Sequence, residues 1–101
     1  MEHDENFSAD YNQLIEIFTH TTAKKEMFKL FEELFTQREK YDFALRWRLM
    51  RELHEGKTQR DIASRLGISL CKITRGSKVL KDEQSIFAKI LMERDHEKSN
   101  E

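Results

Sequence analysis

Six of the nine residues from Met27 to Phe35 are large and apolar, and this density constrains the fold more than any other feature of the sequence. At helical spacing these side chains cover nearly all sides of a helix, and such a helix must be buried on nearly all sides. A chain of 101 residues has few places to bury it. We therefore expect an obligate homodimer in which this region packs against its copy. The alternative is a monomer with this helix at its centre.

The composition favours helices joined by short turns, because the chain has no proline and only three glycines. We predict an all-α fold in one domain over residues 1–101. Its predicted parts are dimerisation helices in 9–35, the first of them over about 9–20, a central helix in 36–56, two short helices in 58–81 and a C-terminal helix in 85–94. The charged residues 1–8 and 94–101 are predicted as irregular ends. On the last helix, we expect Phe87, Ile90 and Leu91 to face inward.

The stretch "TQRE" at 36–39 predicts the start of the central helix. Thr36 and Glu39 fit a capping box, in which each side chain bonds the backbone N–H of the other residue. An apolar stripe follows along this helix. Gly56 predicts the end of the helix, with its backbone in the left-handed conformation. The stripe consists of Phe43, Trp47, Met50 and Leu53.

The net charge of −1 hides a strong asymmetry along the chain. Between Arg46 and Lys81 there are ten Lys and Arg residues and three acids, a net charge of +7, which leaves −8 for the remainder. A basic centre between acidic ends indicates a surface that binds a polyanion, most commonly nucleic acid. The alternative is a solvated helix face.

Cysteine and histidine usage argues against metal sites and catalysis. Cys71 is the single cysteine, so an internal disulfide and a thiolate zinc site are excluded, and a redox-sensing role would lack a resolving partner. The histidines are scattered without metal-ligand spacing or a paired nucleophile, and we expect neither a metal nor an enzyme. Glu52 and Glu55, with His54 between them, are interpreted as a solvated helix end. The histidines are His3, His20, His54 and His96.

The first ten residues, "MEHDENFSAD", lack the features of a secretory signal, and no apolar run reaches the roughly 20 residues that span a bilayer. We expect a cytoplasmic protein with no membrane partner.

The segment from residue 58 to 78, "TQRDIASRLGISLCKITRGSK", predicts two short helices joined by a turn. Thr58 can cap the first helix, with Asp61 at the acidic position of a capping box. Gly67 supplies the turn and Ser69 caps the second helix. The apolar positions Ile62, Leu66 and Ile73 share one core, with the small Ala63 beside them. This pattern is typical of a helix-turn-helix that reads double-stranded DNA with its second helix. The alternatives are a helical hairpin used only for packing, and a helical protein-interaction module that binds an acidic protein.

If the second helix enters the major groove, its exposed N-terminal residues contact bases and nearby cations contact phosphate. The predicted base-reading residues are Ser69, Leu70, Cys71, Lys72 and Thr74. The predicted phosphate contacts are Gln59, Arg60, Lys78 and Lys81.

Four stretches together resemble the bacterial Trp repressor family over about residues 34–92. They are "TQRE" at 36–39, "RWRLMRELHEG" at 46–56, "QRDIASRLG" at 59–67 and "ITRGSKVLK" at 73–81, and "ITRGS" is the most specific part. The resemblance implies a homodimer with intertwined N-terminal helices that binds L-tryptophan as a corepressor. It also implies repression at palindromic operators near tryptophan-related genes.

The resemblance further implies a ligand site. Arg46 and Arg75 match the two arginines that sandwich the indole ring, and Arg75 and Thr36 match the pair that holds the carboxylate. Gly76 matches a glycine that lies against the ligand. The backbone carbonyls of Glu33 and Phe35, from the other subunit, match those that receive the ammonium group. Independently of the resemblance, a planar guanidinium suits an aromatic face and a carboxylate better than an ammonium does.

The sequence departs from the family at four places. Val79 replaces a serine whose hydroxyl helps to bind the ammonium group, which favours an altered affinity or another ligand. Ala63 and Lys72 replace a lysine and a threonine of the DNA-binding helices, and one residue is missing before Gln59. The alternative function within the same class is a regulator that needs no ligand or a different one.

Overall fold

The computed structural model describes residues 5–99, and this range is helical without a strand. The predicted all-α class is therefore confirmed. The described range contains six helices, which are α1 Glu5–His20, α2 Lys24–Leu34, α3 Gln37–His54, α4 Gln59–Leu66, α5 Leu70–Lys81 and α6 Ile86–Ser99.

Both terminal helices extend further than the sequence predicted. α1 begins at Glu5 and α6 runs to Ser99, although the charged ends were expected to be irregular up to residue 8 and from residue 94. Charged residues such as Glu, Lys and Arg are good helix formers, so polarity alone does not end a helix. The other terminal residues, 1–4 and 100–101, lie outside the described range.

The contacts divide the chain into two compact units, Met1–Lys40 and Tyr41–Glu101. In the first unit, the rings of Phe18, Phe31 and Phe35 form a cluster whose centroids lie 5.0–6.4 Å apart. These aromatic contacts join α1 to α2. The expectation that the whole chain forms one domain stays a prediction.

Within the single chain, α1 and α2 expose a large apolar surface. α2 has no buried residue, although its composition requires burial on nearly all sides. The exposed apolar residues of the two helices are Phe7, Tyr11, Ile15, Ile17, Phe28 and Leu34. Surface of this kind on one chain marks an interaction site. It is consistent with the predicted homodimer, which stays a prediction.

The capping box before α3 is confirmed. The backbone N–H of Thr36 donates to Oε1 of Glu39 at 2.8 Å, and the N–H of Glu39 donates to Oγ1 of Thr36 at 3.1 Å. After α3, Gly56 has the positive φ of 92° that was predicted for the stop. The local chemistry of the sequence therefore determines both ends of this helix.

The caps and the turn of α4 and α5 are also confirmed. Oγ1 of Thr58 accepts from the N–H of Asp61 at 3.1 Å, and Oγ of Ser69 accepts from the N–H of Lys72 at 3.4 Å. Between them Gly67 adopts the left-handed conformation, with φ 64° and ψ 33°. Three residues thus connect the two helices.

The core of the second unit joins α3, α4 and α5. Leu49, Ile62 and Ile73 contribute one buried side chain each, and both isoleucines are fully buried. Burying such side chains provides the main favourable free energy of the packing. The partly buried residues packed against this core are Leu53, Ala63, Leu66 and Ile68.

Side chains of α3 and α6 connect these two helices. The rings of Trp47 and Phe87 stack with centroids 5.6 Å apart, and the guanidinium of Arg94 lies 5.2 Å from the centre of the Trp47 ring. Nε2 of His54 lies 2.5 Å from Oδ2 of Asp95. These contacts attach α6 to α3 from its first turn, at Phe87, as far as Asp95.

The apolar stripes of α3 and α6 are buried less completely than predicted. Met50 and Leu91 are buried, but Phe43 is 39% exposed and Ile90 is 43% exposed. Within the single chain Ile90 is therefore not buried, and its predicted inward orientation stays a prediction for the homodimer.

Glu52 is the buried charged residue of the core, with only 1% of its surface exposed. Its carboxylate accepts hydrogen bonds from Nη2 of Arg65 on α4 and from Nε of Arg48, the latter at 2.8 Å. Nε of Arg65 also donates to Oδ2 of Asp61 at 3.0 Å. The interpretation of Glu52 as part of a solvated helix end is wrong, because these cations replace water around its carboxylate.

The same hydrogen bonds control the titration of Glu52. The bonds from Arg65 and Arg48 lower the pKa of Glu52 from 4.5 to about 2, against the opposing effect of burial. In return, the bond to Glu52 raises the pKa of Arg65. The carboxylate is therefore ionised at neutral pH, and it attaches α4 to α3.

Within residues 5–99, no helix combines the length and the apolar character needed to cross a membrane.

We expect Glu52 to make the stability of the fold depend on pH. Its pKa is about 2 in the folded protein, and it returns to the ordinary value of 4.5 when the chain unfolds. Because the folded-state pKa is the lower one, ionised Glu52 stabilises the fold above pH 4.5, and this contribution is lost as the pH falls from there towards about 2. The measurement is the free energy of unfolding in urea across this window, for the unaltered protein and for Glu52→Gln.

Glu55→Gln is the matched control, since its side chain lies one turn further on and is 38% exposed. We expect Glu52→Gln to be less stable at neutral pH and to lose less stability on acidification, while Glu55→Gln keeps the original acid dependence. Equal acid dependence in Glu52→Gln and the unaltered protein would contradict this assignment.

Candidate functional site

A cavity of about 430 Å³ lies between α3 and α5 in the second unit. Ile68, in the turn before α5, and Phe87 of α6 complete its walls. Apolar walls with a few polar groups are typical of small-molecule sites. The lining residues are Asp42, Leu45, Arg46, Leu49, Met50, Ile68, Lys72, Arg75, Gly76, Val79 and Phe87.

Arg46 and Arg75 line this cavity from two different helices, α3 and α5. Each guanidinium can stack on an aromatic ring or donate two parallel hydrogen bonds to a carboxylate. Gly76 and Val79 line the same cavity. The structure therefore brings together four of the seven residues that the sequence analysis assigned to a ligand.

The other three residues of that set, Thr36, Glu33 and Phe35, belong to the first unit. The hydroxyl oxygen of Thr36 accepts the capping bond from Glu39, which leaves the hydroxyl proton available for another acceptor. Roles in ligand binding for these three residues stay predictions.

Gly76 lies buried in the middle of α5, where α3 approaches its backbone closely. A Cβ at this position would lie 3.0 Å from Sδ of Met50, 3.4 Å from Cδ1 of Leu53 and 3.8 Å from Cδ2 of Leu49. The sequence analysis attributed this glycine to a ligand that approaches the backbone. The structure adds a second cause, because the side chains of α3 already occupy the space next to it.

The sequence analysis missed most of the cavity wall on α3. Asp42, Arg46 and Met50 follow one another at intervals of four residues, so they lie on one face of the helix. This spacing is visible in the sequence, so Asp42 and Met50 could have been predicted as neighbours of Arg46 on the same face. Periodicity alone does not show which face of α3 borders a cavity. The other lining residues that were missed are Leu45, Leu49, Ile68 and Phe87.

The first half of α5 presents an exposed surface. Most of the predicted DNA-contacting side chains lie on or beside it and are exposed, including Leu70, which is 45% exposed, and the free thiol of Cys71. Thr74 donates from its hydroxyl to Oε1 of Gln59 at 3.0 Å, which joins α5 to the start of α4. The exposed members of the predicted set are Arg60, Ser69, Leu70, Cys71, Lys72, Thr74, Lys78 and Lys81.

Lys72 belongs to both regions. The sequence analysis assigned it to DNA, and the structure shows that this exposed side chain also lines the cavity with Arg75. The cavity and the exposed surface of α5 are therefore adjacent and share a residue.

Within the described part of the chain, no group of three or more His, Cys, Asp or Glu residues is arranged to hold a metal ion.

Comparison with known proteins yields a family model described as Trp repressor protein, which matches residues 9–95. The chain belongs to the Trp repressor family. The match begins near the start of α1 and ends in α6, so it is longer than the resemblance recognised in the sequence.

Three similar relatives of the Trp repressor family each carry the name Trp operon repressor homolog. The protein of Xylella fastidiosa (strain M23) is 37% identical over 73 residues, covering 71% of this chain and 79% of the relative. That of Chlamydia trachomatis serovar L2 is 37% identical over 79 residues, covering 73% and 84%. That of Vibrio vulnificus (strain YJ016) is 34% identical over 73 residues, covering 71% and 72%. No solved structure matches the chain.

Members of the Trp repressor family are transcription regulators and not enzymes. Membership therefore supports a regulator of this kind and argues against catalysis by this chain.

We expect Gly76→Ala to destabilise the fold, although alanine has the better helix propensity. Alanine is favoured over glycine in a helix by about 1 kcal/mol, whereas overpacking a core costs about 1–3 kcal/mol. Since the new Cβ would lie 3.0 Å from Sδ of the buried Met50, crowding should prevail. The expected net loss in unfolding free energy is about 1 kcal/mol, measured by urea denaturation.

A double-mutant cycle with Met50→Ala isolates this contact. In the Met50→Ala background the crowding is relieved, so adding Gly76→Ala should raise the unfolding free energy. An identical effect of Gly76→Ala in both backgrounds would show that Met50 does not limit the space at this position.

Proposed function

We propose that this protein is a homodimeric transcriptional repressor that binds L-tryptophan as its corepressor and then binds a palindromic DNA operator near tryptophan-related genes. The observation that carries the proposal is the position of Arg75. It lines a cavity together with Arg46 and lies on the helix whose first half is exposed. Membership in the Trp repressor family supports the proposal independently.

The chemistry of the cavity suits an aromatic amino acid. The indole ring lies between the guanidinium planes of Arg46 and Arg75, which attract its π face. Arg75, with the hydroxyl of Thr36, binds the carboxylate, and the apolar walls cover the ring edge. The volume of about 430 Å³ falls within the roughly 300–1,000 Å³ that is usual for small-molecule sites.

In the proposed complex, α4 and α5 form a helix-turn-helix. α5 enters the major groove, where the exposed Leu70 and Cys71 contact thymine methyl groups and Lys72 contacts a base edge or a phosphate. Arg60 at the start of α4 contacts phosphate, assisted by the helix dipole. The net charge of +7 between Arg46 and Lys81 favours this polyanionic partner.

A second copy of the chain completes the repressor. The exposed apolar side chains of α1 and α2 provide the surface that would be buried in a dimer, with α2 packed against its copy. In such a dimer the two α5 helices read half-sites about 34 Å apart, one turn of DNA.

In this proposal, the binding of ligand and the binding of DNA are coupled because both involve α5. Tryptophan favours the arrangement of α5 that fits two successive major grooves, and it can shift the equilibrium only by its differential affinity for that arrangement. Typical couplings of about 1–3 kcal/mol correspond to DNA binding that is roughly 5–150-fold tighter.

One observation favours a second candidate of the same class. Val79 lines the cavity and carries no polar group, so the ligand could differ from tryptophan in the group that meets this residue. The second candidate is therefore a repressor that responds to another ligand or to none.

Calorimetric titration with L-tryptophan tests the ligand site. We expect Arg46→Ala and Arg75→Ala each to weaken binding about tenfold or more, because each removes a stacking cation or a charge-assisted hydrogen bond. Arg60→Ala is the matched control, since this exposed arginine does not line the cavity. No heat from the unaltered protein at millimolar tryptophan, or full affinity in Arg75→Ala, would refute the tryptophan site.

Gel-shift titration on promoter DNA from the organism's own tryptophan genes tests the DNA site. We expect tighter binding with tryptophan than without it, and a steep fall of affinity with salt. Arg60→Ala should lower the slope of log affinity against log salt by about 1, since it removes one phosphate contact.

Lys89→Ala, which removes an exposed cation from α6, should leave that slope unchanged. An affinity for DNA that is the same with and without tryptophan would favour the second candidate. Affinity that is independent of salt, without a palindromic footprint, would favour a protein-interaction module.

A further inference from the structure

Of the described residues that line the cavity, Phe87 is the only aromatic one, and it comes from α6. Its ring stacks on Trp47 of α3, with the ring centroids 5.6 Å apart and 28° between the ring planes. The guanidinium of Arg94, also on α6, lies 5.2 Å from the centre of the same indole ring. Phe87, Trp47 and Arg94 thus form one group of contacts between α3 and α6, which we call the Trp47 cluster.

We propose that the Trp47 cluster controls the affinity of the cavity for its ligand. Phe87 is an aromatic wall of the ligand site, and Trp47 and Arg94 are positioning residues that hold its ring in place. This assignment rests on the proposed function. It makes ligand binding depend on Arg94, a side chain that does not line the cavity.

The spacing along α6 explains how two of its residues contact one indole ring. Phe87 and Arg94 are seven residues apart, about two helical turns, so they lie on the same face of the helix. The buried Leu91 lies between them on that face. Because helical side chains point back towards the N-terminus, the long side chain of Arg94 reaches the ring on which Phe87 stacks.

The start of α6 leaves the direction of the Phe87 ring to its neighbours. Oγ of Ser85 accepts from the N–H of Ala88 at 3.0 Å, which fixes the backbone of the first turn. Phe87 itself is only half-buried, and the adjacent Ile86 is 68% exposed. The stack on Trp47 is therefore a main determinant of where the ring of Phe87 lies.

The strength of the contact between Arg94 and Trp47 limits the effect that Arg94 can have. Arg94 is exposed, and at exposed sites a cation–π contact shifts an equilibrium by about two- to fivefold. A contact changes ligand binding only by the free energy that it contributes, so this factor is the largest effect expected. The effect favours binding, because a ligand that meets a wall already in place does not have to order that side chain.

The chemistry of Phe87 suits the edge of an aromatic ligand. In the proposed site the guanidinium groups of Arg46 and Arg75 cover the two faces of the indole ring, so the other lining side chains meet its edge. Aromatic rings favour offset or edge-to-face contacts with one another, and an aliphatic side chain lacks this attraction. Phe87 therefore increases the affinity for an aromatic ligand in particular.

Two measurements on the full chain test the assignment. Calorimetric titration with L-tryptophan gives the ligand affinity, and fluorescence without ligand reports on the cluster, because Trp47 is the only tryptophan of the sequence. The variants are Phe87→Leu, Arg94→Ala, Arg94→Lys and the double variant of Phe87→Leu with Arg94→Ala. Lys98→Ala is the matched control, since it removes another exposed cation from α6.

We expect Arg94→Ala to weaken tryptophan binding by about two- to fivefold. It should also shift the emission of Trp47 to longer wavelength, because water replaces the guanidinium next to the ring. Arg94→Lys, which keeps a cation, should retain most of the affinity, and Lys98→Ala should change neither quantity.

The double variant shows whether Arg94 acts through Phe87. We expect Phe87→Leu alone to weaken tryptophan binding by about two- to tenfold, the range of an aromatic pair contact. Once the aromatic wall is gone, there is no ring left to position, so adding Arg94→Ala should cause no further loss.

Full tryptophan affinity in Arg94→Ala would overturn this assignment and leave the proposed function intact. The same conclusion follows if Arg94→Ala causes an equal loss in the unaltered and Phe87→Leu backgrounds, or a loss without a change in Trp47 emission. If circular dichroism shows that Phe87→Leu does not fold, Arg94→Lys decides, and a loss as large as that of Arg94→Ala would contradict the assignment. If the unaltered protein binds no tryptophan, the proposed function and this assignment are both refuted.

Discussion

The close packing of α5 on α3 at Gly76 is the contact on which the second unit depends. The backbone of α5 comes near enough to α3 that even a methyl group would meet Sδ of Met50 at 3.0 Å. This approach places Arg46 and Arg75 around one cavity. A larger residue at position 76 would separate the helices and widen that cavity. The glycine weakens the helix by about 1 kcal/mol relative to alanine, and the packing it permits offsets this loss.

The position of α5 is also determined from its N-terminal side. The buried carboxylate of Glu52 on α3 binds Arg65 on α4, and a turn of only three residues separates α4 from α5. Because that turn contains the left-handed Gly67 and the cap Ser69, its conformation is restricted. A buried ion pair adds little net stability, but an ionised carboxylate in the core must keep its partner. The pair therefore specifies how α4 is placed, and through the turn it specifies where α5 begins.

Local chemistry made much of this fold predictable from the sequence. The caps at Thr36, Thr58 and Ser69 and the turn at Gly67 depend on neighbouring residues only, and they occur as predicted. The burial of Glu52 could not be predicted, because its partner Arg65 comes thirteen residues later on another helix. The same applies to the contacts of Arg94 and Asp95 on α6 with α3, since their partners lie about forty or more residues earlier in the chain. For the candidate site, the sequence identified the arginines, but only the packing shows which face of α3 continues the wall to Asp42.

Because the cavity and the exposed surface of α5 overlap, the charge of a ligand bound in this cavity would affect the binding of DNA to this surface. Lys72 belongs to both regions, and Arg75 lies one turn further along α5. An anionic ligand would add a negative charge next to these cations and reduce their attraction for phosphate. A zwitterion adds no net charge, and in the proposed site its carboxylate faces Arg75. A repressor activated by an amino acid can thus fill a cavity beside its DNA-binding surface and keep the positive potential that this surface needs.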